Sequence, residues 1–271
     1  MFDVLLKVDC IGHMNCSELD QLQQLTGIDP KDIPLRDDQV MQLFLGLETL
    51  GVSSRQILTD AGTYGIPEFF TSFVLNILKK TEPQSVSDLI AISGLSHGTD
   101  IWLGNGEEWI ASGEATLADV PACRDDVMAA MLAKGIDRKN AFRIMETIRK
   151  GRGLTQDMIH LMVEHGVEKW YIKDCQRIRY MFPRAHAAAY VMTSLQVAWF
   201  KIYQPTAFYT VMLNRWRDDM DAGDWQLSAD ELRRAILEER SDEKRAAWDK
   251  GRMRGLELLL EAKERHITLL Q

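Results

Sequence analysis

Apolar residues recur at three- and four-residue intervals along nearly the whole chain, a spacing that predicts helices. Phe69, Phe70, Phe73, Val74, Ile77 and Leu78 put one apolar face on a helix opened by Pro67-Glu68, since a proline without an N–H suits a first turn. Ser85-Val86-Ser87-Asp88 resembles a capping box before Leu89, Ile90 and Ile92, and Gly94-Leu95-Ser96-His97-Gly98 breaks the pattern as a loop. Helices over 123–134 and 137–150 flank Gly135. The second turns Phe142, Met145 and Ile148 inward and carries Lys139 and Arg143 four apart on another face. Further helices are expected at 155–165, 168–181, 185–203 and 205–217. Ser228 to Glu264 predicts two charged amphipathic helices, broken near Ser241 and packed as a hairpin. Only Met1 to Asp9 reads as a strand. Its abrupt entry makes Met1 look like a cut through a larger fold. The expected fold class is mainly α, a helical body attached to a short β segment.

Composition narrows the class without fixing it. The 271 residues are 46% hydrophobic and 27% charged, as in an ordinary water-soluble domain. No apolar run reaches the roughly 20 residues of a membrane helix, and the N-terminus lacks a basic secretory leader, so a cytoplasmic protein is expected. Cys10, Cys16, Cys123 and Cys175 form no C-x-x-C pair, which favours reduced thiols over zinc or redox chemistry. The net charge of −8 speaks against nucleic acid, but residues 124–201 hold 14 Lys+Arg against 8 Asp+Glu. A basic middle in an acidic chain suits either a polyanion-binding face or a solvated helical surface.

Three clusters carry candidate chemistry. In Lys7-Val8-Asp9-Cys10-Ile11-Gly12-His13, a carboxylate ends an apolar strand before a glycine turn. Two-metal phosphoryl transfer needs such a rigidly held ligand, although Asp9 equally suits a helix cap. Arg149-Lys150-Gly151-Arg152-Gly153 gathers cations around glycines that let backbone approach a phosphate. Cations and glycine also simply end helices. In the run from Tyr180 to Tyr190, Pro183 starts a helix, Arg184 sits at its positive end, and His186 and Tyr190 share a face among alanines. Either a ligand site or a hydrogen-bonded core His and Tyr accounts for that pattern.

These stretches, taken in order, resemble the PolC-type alpha subunit of DNA polymerase III, the replicase of low-GC Gram-positive bacteria. The matching runs are Leu5 to His13, Leu25-Thr26-Gly27-Ile28-Asp29-Pro30 and Gly65-Ile66-Pro67-Glu68-Phe69. They continue through Ile92 to Asn105, Cys123-Arg124-Asp125-Asp126, Arg149 to Leu154 and Phe182 to Tyr190. The likeness is close over residues 1–215 and weaker beyond.

The resemblance implies template-directed DNA synthesis on a palm, fingers and thumb frame with two magnesium ions. It implies a division into the C-terminal edge of the palm (1–20), the fingers (21–220) and a helical hairpin (221–271). Asp9 matches the third of three metal-holding palm carboxylates and would be the chain's catalytic and metal residue. The other two form an Asp-x-Asp pair upstream in the family. Asp219-Met220-Asp221 lies in a polar stretch after the fingers and is not that pair. Arg184 and His186 would face the triphosphate of the incoming nucleotide and Tyr190 its sugar or base. Ser96 and Phe182 match the pocket for anilinouracil-type dGTP mimics. Arg149, Lys150, Arg152 and Arg124 would meet phosphate or template, and Lys134 and Arg138 align more loosely with basic positions. The implied partners are primer-template DNA and deoxynucleoside triphosphates, with the sliding clamp and replisome subunits in the full-length protein, and no membrane. The likeness does not extend to the family's exonuclease, PHP, β-barrel, helix-hairpin-helix or clamp-binding segments. With one metal carboxylate of three, the isolated chain is expected to be inactive in synthesis. The alternative is a non-catalytic DNA- or nucleotide-binding polymerase remnant.

Overall fold

The longest helix organises the molecule. In the computed structural model, which describes residues 14–241 and 250–268, Arg184–Tyr203 forms a 20-residue helix with buried residues on several sides. Val191, Leu195 and Ala198 belong to one hydrophobic core and Val197 and Phe200 to another. A helix apolar nearly all round must be covered on both flanks, and this one is the spine between the two cores.

The helices in chain order are α1 (Met14–Thr26), α2 (Asp38–Gln42), α3 (Ser54–Ile57), α4 (Ser72–Thr81) and α5 (Val86–His97). They continue as α6 (Glu107–Ala111), α7 (Arg124–Ala133), α8 (Arg138–Arg149), α9 (Gln156–Glu164) and α10 (Lys169–Arg177). The spine is α11, followed by α12 (Pro205–Trp216), α13 (Ala229–Ser241) and α14 (Lys250–Glu264). Helices α2 to α10 build the larger core with one flank of α11. The smaller core joins α1, the end of α11, α12, α13 and α14. Helix α1 runs through the expected boundary at residue 20, and the smaller core draws on both sides of residue 220. Among the described residues the only β-bridge is a single antiparallel one, Thr99 to Tyr180. The expected strand over Met1 to Asp9 lies outside the described residues. No helix among them is long and apolar enough to cross a membrane.

Four local expectations need correction. The helix placed at Pro67 starts at Ser72, because Glu68 takes a left-handed φ of 71° and Thr71 caps the first turn by accepting from the Val74 N–H at 3.3 Å. The loop expected from Gly94 to Gly98 is instead the last turn of α5. A Cβ on Gly94 would lie 2.5 Å from Cys123 Sγ and 2.6 Å from the Ala122 carbonyl oxygen, so this glycine serves close approach and not a break. Phe142 is 53% exposed, while Ala141, Ile144, Met145 and Ile148 form the buried stripe of α8. The helix expected over 168–181 also falls short: α10 ends at Arg177, Ile178 is already extended (ψ 132°), and residues 178–183 leave the helix. The helices expected at 123–134, 137–150, 155–165, 185–203 and 205–217 stand within a residue or so of their limits. Asp137 caps α8 by accepting from the Lys139 and Asn140 N–H groups, and Gly135 takes φ 81° in the turn before it.

Candidate functional site

The chain between α10 and α11 runs extended through residues 178–183 and ties four helix ends together. Past the C-terminus of α5, the Thr99 N–H donates to the Tyr180 carbonyl at 3.0 Å and the Thr99 carbonyl accepts from the Arg179 N–H at 3.0 Å. At the C-terminus of α8, the Arg149 carbonyl accepts from the Met181 N–H at 3.4 Å. At the N-terminus of α7, the Arg124 N–H donates to the Phe182 carbonyl at 3.1 Å. Pro183 then leads into α11. Ser96 and Arg184, 88 positions apart in sequence, are thereby gathered around one short segment. Glycine makes this possible at Gly151, whose φ is 62° and whose added Cβ would sit 2.4 Å from the Arg179 carbonyl oxygen.

A row of rings crosses this junction. His97 stacks on Phe182 with centroids 4.8 Å apart and planes at 25°. Phe182 meets His186 edge-on at 4.9 Å, and His186 lies against Tyr190 at 4.5 Å. All three α11-side rings are half-buried and so remain accessible from one side. Ser96 neighbours the row through His97, its Oγ 3.0 Å from His97 Nδ1 and donating to the Ser93 carbonyl at 2.9 Å. Ser96 and His97 also line a groove of about 490 Å³ with Glu68, Thr71 and Arg215, rimmed by Met14 and Asn15 at the start of α1.

Charge at the junction is mixed. Arg184 is a strut: its backbone N–H donates to Asp125 at 2.8 Å, and its guanidinium donates to Asp126 at 2.7 Å and to Ser87 Oγ at 3.1 Å. Arg124 stands 3.8 Å from Asp125. At the end of α8, Glu146 accepts from both Arg149 and Lys150, the latter at 2.6 Å. The Arg149 and then the Lys150 hydrogen bonds hold the Glu146 carboxyl down at about 2. Arg152 is exposed with no side-chain partner among the described residues. The same holds for Arg179, whose backbone Gly151 abuts. Of the α8-end cations, Arg152 has no carboxylate beside it among the described residues, while Arg149 and Lys150 share one.

Sequence reasoning nominated Ser96, Phe182, Arg184, His186, Tyr190, Arg124, Arg149, Lys150 and Arg152, and the 178–183 segment draws on the helix ends that bear them. It passed over His97, Glu68 and Arg179. His97 stood beside Ser96 in a run read as loop, and only the continuation of α5 reveals that its ring reaches Phe182. Arg179 had no local signal, because its place depends on the turn at Gly151. Asp9, nominated as metal ligand, lies outside the described residues, and among those described no group of three or more His, Cys, Asp or Glu side chains could hold a metal ion. Asp219 and Asp221 stand by the start of α14, with Asp221 3.8 Å from Arg252.

Comparison with known proteins converges on one family. The model of the bacterial DNA polymerase III alpha subunit finger domain matches residues 13–169. The chain is 46% identical over 236 residues to a PolC-type DNA polymerase III of Oceanobacillus iheyensis, covering 87% of this chain and 16% of that protein. It is 45% identical over 265 residues to the PolC-type enzyme of Halalkalibacterium halodurans, 97% of this chain and 18% of that protein. A Staphylococcus aureus PolC-type enzyme is 47% identical over 219 residues, 81% and 15% of the two chains. The chain thus spans less than a fifth of the length of these relatives. It belongs to the finger-domain family of bacterial DNA polymerase III alpha subunits.

Proposed function

We propose that this chain is the fingers of a DNA-directed DNA polymerase in bacterial replication, and that the ring row with the N-terminus of α11 receives the incoming deoxynucleoside triphosphate. The observation that carries the reading is the convergence on residues 178–183, which unites Phe182, Arg184, His186 and Tyr190 with Ser96 beside an open groove. Phosphate is favoured at a helix N-terminus, where unpaired N–H groups and the helix dipole concentrate positive potential. Arg184 would exchange Asp126 for the triphosphate, because a guanidinium forks onto phosphate oxygens as readily as onto a carboxylate. Tyr190 and Phe182 offer faces to the sugar and base. Stabilising charge at the triphosphate is most of what a protein contributes to phosphoryl transfer.

Arg152, with Arg149, Lys150 and Arg124, would supply positive potential to primer-template DNA. Magnesium would polarise the reacting phosphate, and Asp9, five residues before Met14 on the rim of the groove, would be this chain's contribution to its ligands. The division into palm edge (1–20), fingers (21–220) and hairpin (221–271), a cytoplasmic location, and sliding-clamp and replisome partners for a full-length protein belong to the same reading. The isolated chain binds nucleotide but does not extend primers.

A photoreactive dGTP analogue irradiated with the purified chain tests this. The reading expects label within 96–99 and 182–190, suppressed by excess dGTP, and no primer extension with magnesium and all four dNTPs. Label spread over unrelated helices, or elongation by the chain alone, contradicts it. A non-catalytic remnant would label identically, so only restoration of synthesis by adding a separately prepared palm of a PolC-type relative separates the two.

A further inference from the structure

We propose that His97 is a positioning residue of the nucleotide face: anchored by Glu68 and the Ser93 carbonyl, it fixes the Phe182 ring, and through it His186 and Tyr190, for the incoming nucleotide. This rests on the function proposed above and adds to it a role for His97 in placing the rings beside it.

The geometry defines the state of the imidazole. His97 Nδ1 lies 2.8 Å from the Ser93 carbonyl oxygen and Nε2 lies 2.9 Å from Glu68 Oε2. A carbonyl and an ionised carboxylate oxygen only accept, so these two neighbours favour a proton on both ring nitrogens, that is, the imidazolium. Ser96 Oγ spends its own proton on the Ser93 carbonyl and keeps a lone pair towards Nδ1. His97 also closes the C-terminus of α5, where the helix dipole favours a cation. Glu68 holds His97 above its ordinary titration range, against the opposing effect of burial.

Fixing this arrangement takes a left-handed backbone at Glu68. Glu68 is not glycine yet adopts φ 71°, a conformation that is strained for a side chain with a Cβ and persists where the surroundings enforce it. The carboxylate so placed meets His97 and nothing else by hydrogen bond among the described residues. The His97 ring then lies nearly parallel to Phe182 at 4.8 Å, a cation over an aromatic face. Phe182 has little choice of rotamer once its face is covered by His97 and its edge by His186. The titratable and charged neighbours are Glu68 from the loop before α4, Arg215 of α12 across the groove, and His186 of α11 beyond Phe182.

Binding of fluorescent N-methylanthraniloyl-dGTP to the chain, with histidine ring NMR, decides the matter. For wild type, the NMR titration should place His97 as a cation at pH 7. His97→Asn, which keeps one hydrogen bond but loses the stacked ring, should weaken binding about tenfold at unchanged melting temperature or after correction for any loss of folded protein. Glu68→Ala should weaken binding at pH 7.5 and recover towards the wild-type value, compared at equal pH, at pH 6, where His97 regains its proton. His97→Asn should show no such recovery. His97→Phe keeps the stack and should fall between the two. Equal binding by wild type and His97→Asn overturns the inference while leaving the nucleotide face intact, as does a Glu68→Ala defect that is the same at both pH values. A wild-type chain that binds no nucleotide contradicts the proposed function itself and removes the inference with it.

Discussion

At the scale of single residues, two buried charges show how unevenly this chain treats its ionisable groups. Lys201 is fully buried on α11, paired with Glu261 at 2.7 Å and donating to the Gly62 and Tyr64 carbonyls at 2.8 and 2.6 Å. Burial pulls its ammonium down to about 8 although Glu261 opposes the shift. Glu261 also accepts from the Tyr209 hydroxyl at 2.5 Å. Removing one partner of such a pair strands the other charge, so Lys201→Met should cost about 3–5 kcal/mol in urea unfolding. Lys201→Met combined with Glu261→Gln should recover a good part of that loss. Asp174 is the opposite case: it is buried on α10 and neither carboxylate oxygen receives a well-formed hydrogen bond, the Trp109 indole N–H nearby being directed to Asn105 Oδ1 at 3.4 Å. Desolvation raises its carboxyl to about 7, with Arg177 drawing it partly back. Below about pH 4 folded and unfolded chains both hold that proton, and no penalty arises. Between about 4 and 7 the unfolded chain releases it first, so stability contributed here falls as pH rises and the full penalty stands above 7. Asp174→Asn should therefore raise the melting temperature at pH 8 more than at pH 4. An equal shift at both values would contradict the assignment.

At the scale of elements, close approach governs the junction. Gly151→Ala forces a Cβ against the Arg179 carbonyl at 2.4 Å and an alanine into φ 62°. A destabilisation above about 1 kcal/mol is expected, and the thermal shift should be accompanied by loss of nucleotide labelling, since the 178–183 segment would move. By contrast, Phe142→Ala, on the solvent side of α8, should change stability by no more than about 0.5 kcal/mol. The helices themselves were legible in the sequence because apolar spacing and caps such as Ser85 and Asp137 are local signals. The errors arose where a local signal has a distant cause. Gly94 reads as a breaker until Cys123 is seen against it, and Pro67 reads as a helix start until Glu68 is seen reaching His97. Phe142 reads as core because its neighbours Met145 and Ile148 are, yet the α8 stripe turns just past it. The nominated residues of the site were legible through family resemblance, one motif at a time. Their meeting was not, because one extended segment of six residues joins them through backbone hydrogen bonds that leave no mark on side-chain identity.

At the scale of the whole molecule, an acidic chain with a basic middle is reconciled by pairing. The net charge is −8, but many of the middle's cations are taken up by carboxylates, Lys134 by Glu168, Arg149 and Lys150 by Glu146, and Arg177 by Glu108. Exposed cations without a carboxylate partner among the described residues, Arg152 and Arg179 among them, stand near the junction. DNA binding should follow that difference. Arg152→Ala should lower the slope of log affinity against log salt by about 0.9 on duplex DNA, the effect of one lost phosphate contact. Lys150→Ala, which leaves Glu146 with Arg149, should lower it less. The central claim is that the N-terminus of α11 and its ring row form the nucleotide face of a polymerase's fingers. Calorimetric titration of dGTP into the chain and into Arg184→Ala/His186→Ala tests it most directly. The account predicts saturable one-to-one binding to the wild type, weakened at least tenfold in the variant and competed by the other dNTPs. Identical binding by both proteins, or no binding by the wild type, would contradict it.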